Sequence, residues 1–175
     1  MSASGIIDLS AIVLIFATLV ASYTDLRAGK IPNWLTFSMM ASGVFFQVLV
    51  SQGQGLQNAL AGIGTALLLT GGLFLLRALG AGDAKLLMGI GAWTQPSFVF
   101  DVAVVALLLG GCGAVLSLLW RGKLFGFAVR LRIFLSSVSA HPLGRQRLEI
   151  DVTQKMPFGP FIAAAVVVVY GKSLW

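Results

Sequence analysis

Apolar residues run through this chain in long unbroken blocks, not in alternation. The blocks cover about residues 6–23, 34–50, 58–79, 84–94, 98–120 and 157–170. A helix needs about 17–25 apolar residues to cross a bilayer, and most of these blocks reach or approach that length. A membrane-spanning strand would alternate with a period of two, which these blocks do not do. Inside a bilayer only helices and closed barrels satisfy their backbone groups, so continuous blocks predict helices. The pattern therefore predicts an all-α, polytopic membrane bundle of about six transmembrane segments, one of them short. It forms a single membrane-embedded domain over residues 1–175.

Between the blocks lie short polar breaks. Asp25-Leu26-Arg27-Ala28-Gly29-Lys30-Ile31-Pro32-Asn33 reads as a loop, punctuated by Gly29 and Pro32. Pro32 biases Ile31 toward extended backbone. Trp34 then opens the second block where an interfacial aromatic is expected. Ser51-Gln52-Gly53-Gln54-Gly55 reads as an uncharged turn. The block at residues 84–94 spans roughly eleven residues, too few to cross alone, and must be sheltered by protein. Pro96 ends it. The longest polar segment is residues 121–155, a basic loop whose first part, about residues 124–138, is apolar enough for an interfacial helix. Its amphipathicity is imperfect, because Arg130 and Arg132 fall about 200° apart on a helical wheel. The glycines at 62, 64, 71 and 72 read as small residues that let helices approach closely.

Composition sharpens the picture. The chain is 58% hydrophobic and 10% charged, where a soluble domain carries about 25% charge. Its net charge of +6 suggests topology, not nucleic-acid binding, because no aromatic-basic interleaving accompanies it. Basic residues cluster after the first, third and fifth long blocks, and the positive-inside tendency places those breaks in the cytoplasm. The first block has no positive residue before it and carries Asp8, so it reads as an uncleaved helix with its N-terminus outside. By this topology Asp25 and Asp83 both lie at the cytoplasmic face. Asp8 and Asp101 lie toward the other face, and Glu149 and Asp151 in the basic loop read as solvated.

One cysteine, Cys112, reads as a small packing residue and excludes an internal disulfide or a Cys-x-x-Cys zinc cluster. The single histidine, His141, lies in the basic loop, and neither Gly-x-Ser-x-Gly nor His-Glu-x-x-His is present. No metal and no cofactor are expected. Carboxylates remain as the candidate catalysts. An ionisable residue beside a membrane span is costly and marks a functional site by default. The pair Asp25 and Asp83 could share one proton around a water, one carboxylate acting as base and the other as acid. Gly80 and Gly82 would let the backbone bend tightly and a substrate strand lie close. They could equally cap one helix while Asp83 caps the next. Lys85 and Arg27 read either as interfacial basic residues or as charges that bias the neighbouring acids.

Asp25-Leu26-Arg27, Ile31-Pro32-Asn33, then Gly80-Ala81-Gly82-Asp83-Ala84-Lys85, then Pro157-Phe158-Gly159-Pro160, in this order, resemble the type IV prepilin peptidases. These are Gly-x-Gly-Asp aspartyl proteases, and the chain looks most like the small forms that serve tight-adherence (Flp-type) pili. The resemblance implies catalytic Asp25 and Asp83. Arg27, Pro32, Asn33, Gly80, Gly82, Lys85, Pro157 and Gly159 then support the motifs or position the substrate. It implies cleavage of a short basic leader from a prepilin or pseudopilin helix, after a glycine, at the cytoplasmic face of the bacterial inner membrane. The partners so implied are that substrate helix and the lipid bilayer. Bifunctional relatives also N-methylate the product, using an extra domain with paired Cys-x-x-Cys motifs. With one cysteine, this sequence predicts peptidase activity without that domain. Two other readings stay open on the residues alone. One is a carboxylate protease of the signal-peptidase kind, acting at the outer face. The other is a small proton or cation transporter subunit with the two acids as its site.

Overall fold

The computed structural model describes residues 3–75, 79–120 and 157–173. All the elements among the described residues are helices: α1 (Ala3–Ala28), α2 (Asn33–Leu75), α3 (Ala81–Trp93), α4 (Pro96–Trp120) and α5 (Gly159–Ser173). Four segments have the length and composition to cross a membrane: Leu9–Ala28, Asn33–Ser51, Gly53–Phe74 and Pro96–Leu116. α3, with 13 residues, is shorter than a span, as is α5 with 15. Large apolar side chains point outward along the long helices, Leu68 at 83% exposure and Phe16 at 69% among them. Water would penalise such a surface, whereas lipid tails accept it.

The chain divides into two compact units. The larger comprises Met1–Gly110 and Pro157–Trp175 and holds the buried core. The other is Gly111–Met156, of which residues 111–120, the last turns of α4, are described. The basic loop at residues 121–155 and its expected interfacial helix at 124–138 lie outside the described residues, as do His141, Glu149 and Asp151.

Helix α3 is the centre of the larger unit. It is buried on nearly every side, with Leu86 and Ile90 fully enclosed. A helix apolar all round belongs inside a bundle, which is how a segment too short to span is sheltered. Its C-terminal end is tied to α2. The Trp93 Nε1–H donates to the Met39 carbonyl at 3.0 Å, and Gln47 Nε2 donates to the Trp93 carbonyl at 3.3 Å. Phe46 stacks on the Trp93 ring at 4.9 Å.

The expected turn at residues 51–55 is not a break in secondary structure: α2 is helical throughout. The chain nevertheless reverses there. Gly43 packs against Ala92 and Trp93, and Gly62 packs against Gly91. Those two glycines stand 19 positions apart, about 28 Å along a straight helix, yet both reach the same end of α3. At the reversal a Cβ on Gly55 would collide with the Gln47 carbonyl. The bend therefore sits where Gly55 lacks the side chain that would block it. Of the glycines read as packing residues, Gly62 does pack, while Gly64, Gly71 and Gly72 have no atom within 4 Å of an added Cβ.

Two further expectations change. α1 continues to Ala28, so Asp25 and Arg27 belong to its last turns and only residues 29–32 form the loop. The stop is Gly29, at φ +62, whose N–H donates to the Asp25 carbonyl at 2.8 Å. That is a left-handed C-cap, and it lets the helix run one turn past the first polar residue. Cys112 is exposed on α4, not packed. Its neighbour Gly111 is exposed as well. Pro96, read as a terminator, opens α4, a position where its missing N–H costs nothing.

Candidate active site

On α1, Leu14, Ala17, Thr18, Ala21 and Asp25 form one buried stripe at helical spacing. Asp25 is the last member of that stripe, 8% exposed. A carboxylate ending an apolar stripe faces inward because the residues before it do. Its Oδ2 accepts a buried hydrogen bond from the Gly159 N–H at the start of α5, at 2.8 Å.

Asp83 is 9% exposed and sits in the first turn of α3, outside the four span-length segments. It is not the cap of α3. Gly80 holds that position with φ −74° and ψ 148°, and its carbonyl accepts the Ala84 N–H at 3.2 Å. An acid three positions after the cap can reach back to the cap's own backbone. Asp83 does so: a Cβ on Gly80 would stand 2.8 Å from Asp83 Oδ2. Gly80 is therefore needed for space, since its φ is open to any residue. At Gly82 an added Cβ would lie 3.2 Å from the buried Ile31 side chain, so this glycine admits the α1–α2 loop against α3. The two glycines expected to make room for substrate thus make room for Asp83 and for Ile31.

The structure brings the two acids within electrostatic reach of each other. Burial, then the charge of Asp25, pushes the Asp83 carboxyl up to about 6, while its hydrogen bond to the Gly80 backbone acts in the opposite direction. The shift favours the protonated form of Asp83.

The supporting residues divide. Pro32 starts α2, its carbonyl accepting the N–H groups of Leu35 and Thr36 at 3.2 and 3.4 Å. Asn33 Oδ1 accepts from Lys85 Nζ at 3.0 Å, and the same ammonium lies 5.3 Å from the centre of the Phe37 ring. Lys85 thus ties the start of α3 to the start of α2. Arg27 turns to the Tyr23 hydroxyl at 2.8 Å on the exposed side of α1. Pro157 precedes α5 and is half-buried. Sequence reasoning did not anticipate the contact between Gly159 and Asp25, or the seating of Phe158 on Gly110. Neither leaves a mark in the spacing, because each joins segments far apart in the chain through a missing side chain.

A helical bundle with four membrane-length segments, which buries a carboxylate at the end of α1 and another at the start of α3, defines a helical membrane protein. Residues 12–116 match the model of the type IV leader peptidase family, and the chain belongs to that family. It is 30% identical to the leader peptidase HopD of Escherichia coli over 157 residues, covering 86% of this chain and 84% of that relative. It is 33% identical over 122 residues to the prepilin leader peptidase/N-methyltransferase of Pectobacterium carotovorum subsp. carotovorum. That alignment covers 64% of this chain and 41% of the relative. No solved structure matches the chain.

Proposed function

We propose that this chain is an intramembrane aspartyl endopeptidase that removes the short basic leader from Flp-type prepilins. It cuts at the cytoplasmic face of the bacterial inner membrane. Membership of the type IV leader peptidase family supports the substrate class. The observation that carries the mechanism is the burial of Asp25 and Asp83 within reach of each other, with Asp83 shifted toward its protonated form.

In this reading Asp25 takes a proton from water while the water oxygen adds to the scissile carbonyl carbon. Asp83 gives its proton to the carbonyl oxygen, forming a neutral tetrahedral diol. On collapse the diol returns a proton to Asp83, Asp25 passes its proton to the amide nitrogen, and the C–N bond breaks. The pair ends with the one proton it began with. Burial and the charge of Asp25, which push the Asp83 carboxyl up to about 6, support the acid role for Asp83 in the first step. The distribution of Arg27, Lys30 and the basic residues of the 121–155 loop supports a cytoplasmic site.

The test is cleavage of a purified Flp-type prepilin by the protein in liposomes, with sequencing of the product's new N-terminus. The reading expects a single cut after the glycine that precedes the prepilin's hydrophobic helix. Cleavage elsewhere, or none, contradicts it.

A further inference from the structure

The start of α5 is held from two sides. On one side, the Gly159 N–H donates to Asp25 Oδ2 at 2.8 Å in a buried position. A Cβ on Gly159 would lie 3.1 Å from both Asp25 Cβ and Oδ2, and 3.3 Å from the Ser22 Cα. Those separations are tighter than side chains normally tolerate, so the missing side chain is what lets the N–H reach Asp25. On the other side, the Phe158 ring occupies the space that a Cβ on Gly110 of α4 would fill. The Phe158 carbonyl accepts the N–H groups of Phe161 and Ile162 at 3.1 and 3.2 Å, which locks that residue to the first turn of α5.

We infer that Gly159 is a positioning residue for the reaction: its backbone N–H pins one oxygen of Asp25, and Phe158 seated on Gly110 sets where that N–H stands. The inference rests on the reading of Asp25 as one of the catalytic pair. With Oδ2 committed as an acceptor, Oδ1 is the oxygen that takes the proton from water. Of the charges on the described helices, Asp83 acts on Asp25 across the site. Lys85 is bonded to Asn33, Arg27 to Tyr23, and α2 carries no charged residue. Asp101 of α4 is exposed, and Lys172 lies in the last turn of α5. Among the described residues, a backbone donor, the Gly159 N–H, holds one oxygen of Asp25 in place.

The test is steady-state cleavage of a Flp-type prepilin by the full chain in liposomes. The variants are Gly159→Ala, Gly110→Ala and the double variant Gly110→Ala with Phe158→Leu, assayed beside Asp25→Asn and Asp83→Asn. Displacing a reacting group by a fraction of an ångström to one ångström costs about tenfold to a hundredfold in turnover. Gly159→Ala is expected to lower kcat by that much with KM changed less than about twofold, because Asp25 acts on the reacting atoms and not on substrate docking. Gly110→Ala should lower kcat in the same way by pushing Phe158. The smaller Leu at 158 should restore it, since it leaves room for the new methyl group. Wild-type kcat in Gly159→Ala, or a loss confined to KM, overturns the inference. Should Gly159→Ala not reach the membrane, failure of Phe158→Leu to rescue Gly110→Ala overturns it instead. Retained cleavage in either Asp→Asn variant overturns the aspartyl reading itself. Loss there with wild-type behaviour of the glycine variants overturns only the role of Gly159.

Discussion

Asp83 sits where folding alone would not put a carboxylate. Burial and the charge of Asp25 lift it from its ordinary value of 3.8 to about 6. A group whose folded-state pKa is raised contributes stability in its protonated form. That contribution is whole below the unfolded value and is lost as pH rises through the folded one. Asp83→Asn, which cannot ionise, is therefore expected to raise the thermal midpoint in detergent at pH 7.5. The gain should shrink as pH falls through about 6 and vanish below about 4. A variant less stable than wild type at pH 7.5, with no dependence on pH, would contradict this account of Asp83. Loss of activity with unchanged or improved stability is the usual signature of a site whose geometry serves chemistry. Both acids were legible in the sequence, because charge is conspicuous in an apolar chain. Their partners were not. Gly80, Gly82 and Gly159 act through the side chains they lack, and sequence alone does not show what fills the vacated space.

Among the elements, α3 depends on backbone-to-backbone contact. Gly62 and Gly91 face each other so closely that a Cβ on either would meet the other's carbonyl. In a lipid environment helices gain little from hydrophobicity when they pair, so close approach through small residues carries the association. Gly91→Ala is expected to cost about 1–3 kcal/mol, seen as a lower thermal midpoint. Gly64→Ala fills open space on α2 and should leave the midpoint unchanged or raise it, since Ala exceeds Gly in helix propensity by about 1 kcal/mol. Equal effects of the two substitutions would show that the crossing is not where the stability lies. The sequence displayed the blocks that became these helices, and it marked α3 as too short to cross alone. It misplaced their ends, because a helix ends at its cap and not at its first polar residue. Gly29 stops α1 four residues beyond Asp25. Gly53 and Gly55 lie where α2 turns back while remaining helical.

For the whole molecule, the arrangement has one consequence. The end of α1, the start of α2, the start of α3 and the start of α5 gather around the two acids, tied by Asn33 to Lys85 and by Gly159 to Asp25. In our proposal a pair of acids at helix ends suits a substrate whose own apolar helix lies among the spans while its leader stays outside them. The basic breaks in the chain orient that end of the bundle toward the cytoplasm in our proposal. The measurement that tests the central claim most directly is processing of a co-expressed Flp-type prepilin by wild type, Asp25→Asn and Asp83→Asn, read as a gel shift beside membrane levels of each variant. The account predicts full processing by wild type and none by either variant, with all three proteins inserted equally. Near wild-type processing by either single variant would contradict the carboxylate pair.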